Sequence, residues 1–208
     1  MDKVIVKTAI KTVLIILAVC IGAFAILSFA MPSQMATWCE KSGNYSLALK
    51  YANLQYGYSN DINDLSRVVE NAVYSEDSKN IIKYGEKLVL DDSFNDLCKE
   101  KNEYYANGEY GELKLDYKQF ICGELSIAYA KEGQEDKAVE RAFTANGENT
   151  FKKPNALISL SVYAATQNNL QLSQKLTEKL NQIKPNLDEN GEDYATLCDV
   201  LEILADVK

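Results

Sequence analysis

Apolar and polar positions divide the chain into two parts of different character. The segment Thr12–Met31 holds twenty residues without a charge, nearly all apolar, and three lysines precede it. At about 1.5 Å of rise per residue, a helix of this length spans the roughly 30 Å hydrocarbon core of a bilayer. The pattern therefore predicts a short basic cytoplasmic segment at 1–11, a transmembrane helix at 12–31 and one domain at 32–208.

The apolar segment permits two interpretations, an uncleaved anchor or a cleaved signal peptide. Ser28-Phe29-Ala30 has the small-x-small form of a cleavage site, but the apolar run is longer than the roughly 7–15 residues of a signal core. We therefore predict an anchor, with release after Ala30 as the alternative. The lysines before the segment place the amino terminus in the cytoplasm and the domain outside the membrane.

Beyond the anchor, apolar residues recur at helical spacing and turn residues are sparse, since the whole chain has only three Pro and ten Gly. The fold class predicted is all-α. Asp61 and Ser93 are expected to cap helices, Gly108 to end one, and Pro154 to stand in a first turn. Pro32 directly follows Met31, which predicts a kink there without a flexible linker. The predicted helices are 32–42, 45–57, 62–74, 78–90, 94–107, 115–132, 135–146, 154–167, 170–183 and 191–206.

A short motif recurs in this domain. The turns at Gly43, Glu76, Gly133 and Asn168 are spaced by 33, 57 and 35 residues, and 57 is one period plus an extra helix. Small residues, which allow two helices to approach closely, follow three of the turns at a fixed distance. They are Ala48, Ala138 and Ser173.

These motifs resemble the tetratricopeptide repeats, in which a large apolar residue, a small residue and an aromatic precede a turn followed by small residues. The resemblance covers 32–185. It implies an α-solenoid of about four degenerate helix pairs, closed by a capping helix, that binds proteins along the first helix of each pair. The groove positions implied are Asn63, Ser66, Glu70, Tyr74, Phe120, Gly123, Ile127, Asn155, Ile158, Val162 and Thr166. The extra helix and the loop after it form a candidate contact loop with Tyr105 and Tyr110.

Charge and composition narrow the function further. The net charge is −8, and because residues 1–31 carry +2, the domain carries −10, which disfavours nucleic acid. The absence of His removes the common catalytic pairs and imidazole metal sites. The five Cys form no CxxC and are expected to be buried apolar residues, with a disulfide among the four cysteines after Met31 as the alternative. Carboxylate pairs such as Asp91-Asp92 are expected at helix ends rather than in a cleft.

We therefore expect no enzyme, no cofactor, no metal and no small-molecule substrate. The sequence favours a membrane-anchored adaptor, scaffold or assembly factor that binds a protein partner, a membrane neighbour, at the extracytoplasmic surface. The alternative is a secreted, non-catalytic protein that binds peptide or cell wall after cleavage near Ala30.

Overall fold

The protein is all-helical in the part of the chain that the structure describes. This computed structural model describes residues 3–107, 116–145, 151 and 155–207, and no strand occurs among them. The chain divides into two compact units, Met1–Ser75 and Glu76–Lys208. A short 3-10 helix, Lys184–Asn186, lies near the carboxyl end. The α-helices of the described residues are α1 (Lys3–Ala30), α2 (Pro32–Lys41), α3 (Tyr45–Ser59), α4 (Ile62–Tyr74), α5 (Ser78–Val89), α6 (Phe94–Ala106), α7 (Tyr117–Lys131), α8 (Glu135–Thr144), α9 (Ala156–Thr166), α10 (Leu170–Ile183) and α11 (Glu192–Ala205).

The ten helices predicted after Met31 are all present, and their ends lie within two residues of the predicted ones. Asp61 caps α4 as predicted, because its carboxylate accepts a hydrogen bond of 2.8 Å from the Asn63 N–H. Ser93 occupies the N-cap position of α6, but its side chain makes no capping hydrogen bond. The predicted roles of Gly108 and Pro154 lie outside the described residues.

Helix α1 is the one described helix long and apolar enough to cross a membrane, over Val6–Ala30. Its side chains from Val6 onward are exposed, apart from Ser28. The helix already begins at Lys3, so the basic residues predicted as a separate segment continue the same helix.

The junction between α1 and α2 consists of Met31 alone, as the sequence predicts. Met31 has φ −135° and ψ 55°, outside the helical region. Its N–H donates to the Leu27 carbonyl at 2.9 Å, and its carbonyl accepts from the Met35 N–H at 3.1 Å. Hydrogen bonds therefore join both helices to the one residue between them.

A second contact holds the end of α1 against the first unit. The Tyr51 hydroxyl on α3 donates to the Ser28 hydroxyl oxygen at 3.2 Å. The Ser28 hydroxyl in turn donates to the Phe24 carbonyl at 2.8 Å. A polar side chain in an apolar helix thus finds its partners at the point where the helix meets the folded unit.

The four turns aligned by the sequence motif share one backbone conformation. Gly43, Glu76, Gly133 and Asn168 have φ values of 72°, 56°, 69° and 50°, all in the left-handed region. At Gly43, Gly133 and Asn168, this residue and the next donate N–H bonds back to carbonyls of the preceding helix, the pairing of a Schellman motif. The last carbonyls of the helix are thereby satisfied within the turn.

The residue after each left-handed position begins the next helix. Asn44, Asp77 and Asn169 each accept a hydrogen bond on their side chain from an N–H three residues on. Gln134, at the fourth turn, makes no such bond. At Gly43 and Asn168, within each unit, consecutive residues close one helix and cap the next, so the turn leaves little freedom in the angle between those two helices.

In the first unit, α3 packs against both α2 and α4. Small side chains fill the space between these helices, and four of them are at most 1% exposed: Ala36, Ala48, Ala52 and Ala72. Small residues let the helices approach closely, which is the arrangement that the sequence predicts for Ala48.

An ion pair ties α4 to α2. The Arg67 guanidinium donates to both carboxylate oxygens of Glu40 at 2.8 Å, and the Asn71 amide donates to the same carboxylate at 2.7 Å. Arg67 also donates to the hydroxyls of Ser33 and Thr37. The hydrogen bonds from Arg67 and Asn71 lower the pKa of Glu40, against an opposing effect of partial burial.

In the second unit, the helices other than α6 pack against the helices that follow them in the chain. Helix α5 contacts α7, α7 contacts α8 and α9, and both α8 and α9 contact α10. Helix α11 covers α9 and α10 with buried Leu197, Val200 and Leu204. Helix α6 lies between α5 and α7 in sequence but not in this packing order, and the Tyr117 N–H donates to its Asn102. Helix α6 is therefore an insertion in the order, as the 57-residue spacing predicts.

The left-handed turn makes a prediction about Gly43. We expect Gly43→Ala to lower the free energy of unfolding by about 1 kcal/mol, because an L-residue with positive φ is strained. Gly57, inside α3, is the matched control, since an added Cβ meets nothing within 4 Å at either position. Gly57→Ala should raise stability by about 0.5 kcal/mol or more, because Gly weakens helix interiors. Urea denaturation in micelles, followed by the fluorescence of the single Trp38, measures both variants; shifts of the same sign would contradict the proposed turn conformation.

The Glu40 pair predicts acid sensitivity in the first unit. Because Arg67 lowers the pKa of Glu40 in the folded state, ionised Glu40 stabilises the fold above its ordinary pKa, and this contribution disappears as the pH falls through the lowered value. Glu40→Gln should reduce the loss of stability below about pH 4.5. Arg67→Met, which leaves the carboxylate with the Asn71 hydrogen bond but without its counter-charge, should lower the free energy of unfolding by about 2 kcal/mol at pH 7. Trp38 fluorescence at several pH values tests both; an unchanged acid profile in Glu40→Gln would exclude this role.

Candidate binding surface

The residues predicted to line a groove fall into both units. Four lie on α4 in the first unit, and the other seven lie on α7, or on and next to α9, in the second. Each group is therefore described within its own unit.

The four positions of the first unit form a mostly polar face. Asn63 and Tyr74 are exposed and Glu70 is half-buried. The Tyr74 ring stacks on Tyr45, with 4.8 Å between the ring centroids. Ser66 is fully buried and its hydroxyl donates to the Asn63 carbonyl at 2.8 Å, so it is a packing residue rather than a surface one.

Two predicted positions of the second unit are also buried, which corrects their assignment to a groove lining. Gly123 lies where α7 and α9 meet, and an added Cβ there would be 3.5 Å from the Ala156 Cα. Asn155 is 4% exposed and caps α9, accepting from the Ile158 N–H at 2.8 Å. Both residues position α9 instead of offering a side chain to a partner.

Helices α7 and α9 lie side by side and run in the same direction. Gln119 on α7 accepts from the Ala156 N–H at 2.8 Å, at the start of α9. One turn further along α7, an added Cβ at Gly123 would be 3.7 Å from the Ser159 Cβ, also further along α9. The contacts advance together along both helices, so residues after Gly123 lie beside residues after Ser159.

The remaining predicted residues form a partly exposed apolar surface on these two helices. On α7, Phe120, Glu124 and Ile127 are half-buried and follow one another on one face at helical spacing. On α9, Ile158 is half-buried and Val162 is 44% exposed. Thr166 is exposed, and its hydroxyl donates to the Tyr163 carbonyl. The α7–α9 surface is defined here by Phe120, Glu124, Ile127, Ile158, Val162 and Thr166.

Sequence reasoning missed Glu124, the charged residue of this surface. Its partial burial raises the pKa of its carboxyl group, and Lys131, two turns further along the helix, opposes this effect. Among the described residues, Glu124 has neither a hydrogen bond nor an ion pair on its side chain. Its position in the sequence could have indicated it, because Glu124 lies one turn after Phe120 and nearly one turn before Ile127, on the same face of the predicted helix.

A second glutamate of the same unit shows the contrast. Glu86 on α5 accepts from the Arg141 guanidinium at 2.7 Å and from the Tyr129 hydroxyl at 2.8 Å. Burial and the hydrogen bond to Glu86 raise the pKa of Tyr129 to about 12. The cluster connects α5, α7 and α8 on the side of α7 away from the α7–α9 surface, so it fixes α7 without contributing to that surface.

The candidate contact loop is described only in part. Tyr104, which was not predicted, is 73% exposed on α6, and its ring meets that of the predicted Tyr105 edge to face, with 5.6 Å between centroids. Tyr105 itself is half-buried. Tyr110 lies outside the described residues.

A shallow cavity of about 220 Å³ lies between α8 and α10. Asp136 and Lys175 form an ion pair across it. Its lining is mostly charged and consists of Asp136, Val139, Lys175, Glu178, Lys179 and Gln182.

The cysteine thiols are the strongest nucleophiles of the chain, and they are also potential metal ligands. All five cysteines are free thiols, and Cys39, Cys98 and Cys122 are buried. Burial raises the pKa of Cys98 to about 12 and that of Cys122 to about 11, so both thiols stay protonated and are poor nucleophiles. Within the described ranges, no three His, Cys, Asp or Glu side chains lie close enough together to hold a metal ion.

The α7–α9 surface combines apolar side chains with the carboxylate of Glu124, which has no ion pair within the described part of the chain. Comparison of the chain with family models, with curated proteins and with solved structures finds no match.

Proposed function

We propose that the protein is a membrane-anchored adaptor whose helical-repeat domain binds a protein partner beside the membrane. The observation that carries this proposal is the recurrence of one left-handed turn at Gly43, Glu76, Gly133 and Asn168. Helix pairs joined by equivalent turns and packed in chain order are typical of solenoids, which serve mainly as binding scaffolds. On this proposal the domain is a degenerate tetratricopeptide-like repeat.

The α7–α9 surface is the proposed partner site in the second unit. It displays Val162, which is 44% exposed, together with the half-buried Ile158 on the same helix and the half-buried Ile127 on the neighbouring α7. Partly exposed apolar side chains on neighbouring helices are common at protein interfaces, where they become fully buried.

The location proposed is the extracytoplasmic side of a membrane. The lysines at the start of α1 favour a cytoplasmic amino terminus. The one-residue junction at Met31 and the bond from Tyr51 to Ser28 support an uncleaved anchor, because release after Ala30 would remove Ser28 and the helix that holds it. A partner of this domain would therefore meet it close to the bilayer.

The anchor is tested by the mass and accessibility of the mature chain. We expect the chain extracted from membranes to retain residues 1–30 and to have the full mass of 23.3 kDa. An alkaline wash, which releases peripheral proteins, should leave it in the membrane. Protease added to the extracytoplasmic face of sealed vesicles should digest the domain. A mature chain that begins after Ala30 would favour the secreted alternative, and protection from the protease would contradict the orientation.

The adaptor proposal is tested by photocrosslinking in native membranes. A benzoylphenylalanine at Val162, on the α7–α9 surface, should yield a discrete protein adduct. The same probe at Gln174, an exposed position on α10, is the control and should not yield that adduct. Adducts with lipid and self only, or the same products from both positions, would contradict a partner site on this surface.

A further inference from the structure

We propose that the α7–α9 surface recognises a segment of its partner in which a Lys or Arg side chain is flanked by apolar residues, with Glu124 accepting the cation. This inference rests on the proposed adaptor function and adds the chemistry of the partner to it.

The first argument compares Glu124 with two other half-buried glutamates, Glu40 and Glu86. Glu40 and Glu86 both accept two hydrogen bonds from an arginine of this chain. Glu124 is also half-buried, but among the described residues its carboxylate has no hydrogen bond or ion pair, and Lys131, two turns further along α7, acts on it only at longer range. A carboxylate that is partly removed from water is costly unless it is paired, so its pairing with an incoming cation is favourable.

The second argument is the apolar surroundings of this carboxylate. Phe120 lies one turn before Glu124 on the same face of α7, and Ile127 lies nearly one turn after it, at distances of about 6 and 5 Å along the axis. Across the junction with α9, the residues after Ser159 run alongside, and Val162 is the exposed apolar one. A basic side chain on Glu124 would therefore be accompanied by apolar contacts on two sides.

The third argument is charge. The domain carries a formal net charge of −10, so its field attracts a cationic segment at long range. Lys131 stands two turns beyond Glu124 on the same helix face and opposes a cation there. The local pattern along α7 is therefore apolar, negative, apolar and positive, which fixes where on this face a basic side chain is accepted.

The probe is a set of three soluble peptides that differ at one position. Each carries two leucines on either side of a central residue, within a Ser/Gly background, and the central residue is Lys, Gln or Glu. A fourth peptide places the Lys between serines, and so measures general attraction to an acidic protein. Binding to the full chain in micelles is followed by fluorescence anisotropy at fixed ionic strength.

We expect the Leu-flanked Lys peptide to bind at least tenfold more tightly than the Gln, Glu and Ser-flanked Lys peptides. Glu124→Gln should weaken binding of the Lys peptide about tenfold, because the charge that accepts the cation is lost. The chain should stay folded, because the substitution removes a charge that is costly to bury. Glu140→Gln, at an exposed site on α8, makes the same charge change and should leave binding unaltered. Glu124→Lys should reverse the preference in favour of the Glu peptide.

Equal affinity for the Lys and Gln peptides, or equal effects of Glu124→Gln and Glu140→Gln, would overturn the inference. The Val162 photocrosslink distinguishes this failure from failure of the adaptor function. If the adduct persists in Glu124→Gln at its original level, the surface binds a partner but not through a cation at Glu124. If no protein adduct forms even in the unaltered chain, the adaptor function itself is wrong.

Discussion

The backbone groups at each junction between successive helices impose the main constraint on this architecture. A helix leaves its last carbonyls and its first N–H groups without partners, and two helices joined by a two-residue turn bring both sets together. The left-handed residue lets the chain return its N–H groups to the first helix, and the Asn or Asp that follows caps the second. The same solution occurs at Gly43 and Asn168, and in part at Gly133, so hydrogen bonds at these turns constrain the angle between the helices that they join.

The sequence predicted the helices closely because their signals are local. Apolar positions at helical spacing, and turn residues between them, depend only on neighbours along the chain, so ten helices were found with ends within two residues. Glu76 is the exception among the turns, since a glutamate gives no sign of a positive φ and only the spacing from Gly43 indicated it. The capping role of Asn155 also depends only on its neighbours along the chain. It was nevertheless predicted to line a groove, because the prediction followed the repeat resemblance alone.

Side-chain accessibility was predicted less well, because it depends on helices that are distant in sequence. Gly123 is buried since α9, more than thirty residues further on, packs against it; its lack of a side chain was the available clue. Glu124, the next residue along α7, is half-buried as well, whereas a glutamate on an amphipathic helix is ordinarily expected to face solvent. Nothing along the chain distinguishes Glu124 from Glu86, yet Glu86 is hydrogen-bonded to an arginine of another helix, whereas among the described residues only the more distant Lys131 acts on Glu124.

The junction at Met31 has a geometric consequence for the first unit. Both helices are hydrogen-bonded to that single residue, and Ser28 is fixed to Tyr51, so the unit turns with α1 as one body. A helix advances by about 100° and 1.5 Å per residue. Inserting or deleting one residue within α1 would therefore rotate the unit about the α1 axis by more than a quarter of a turn, while moving it along that axis by only about 1.5 Å. If α1 crosses a membrane, its length therefore determines the direction within the membrane plane toward which the first unit faces.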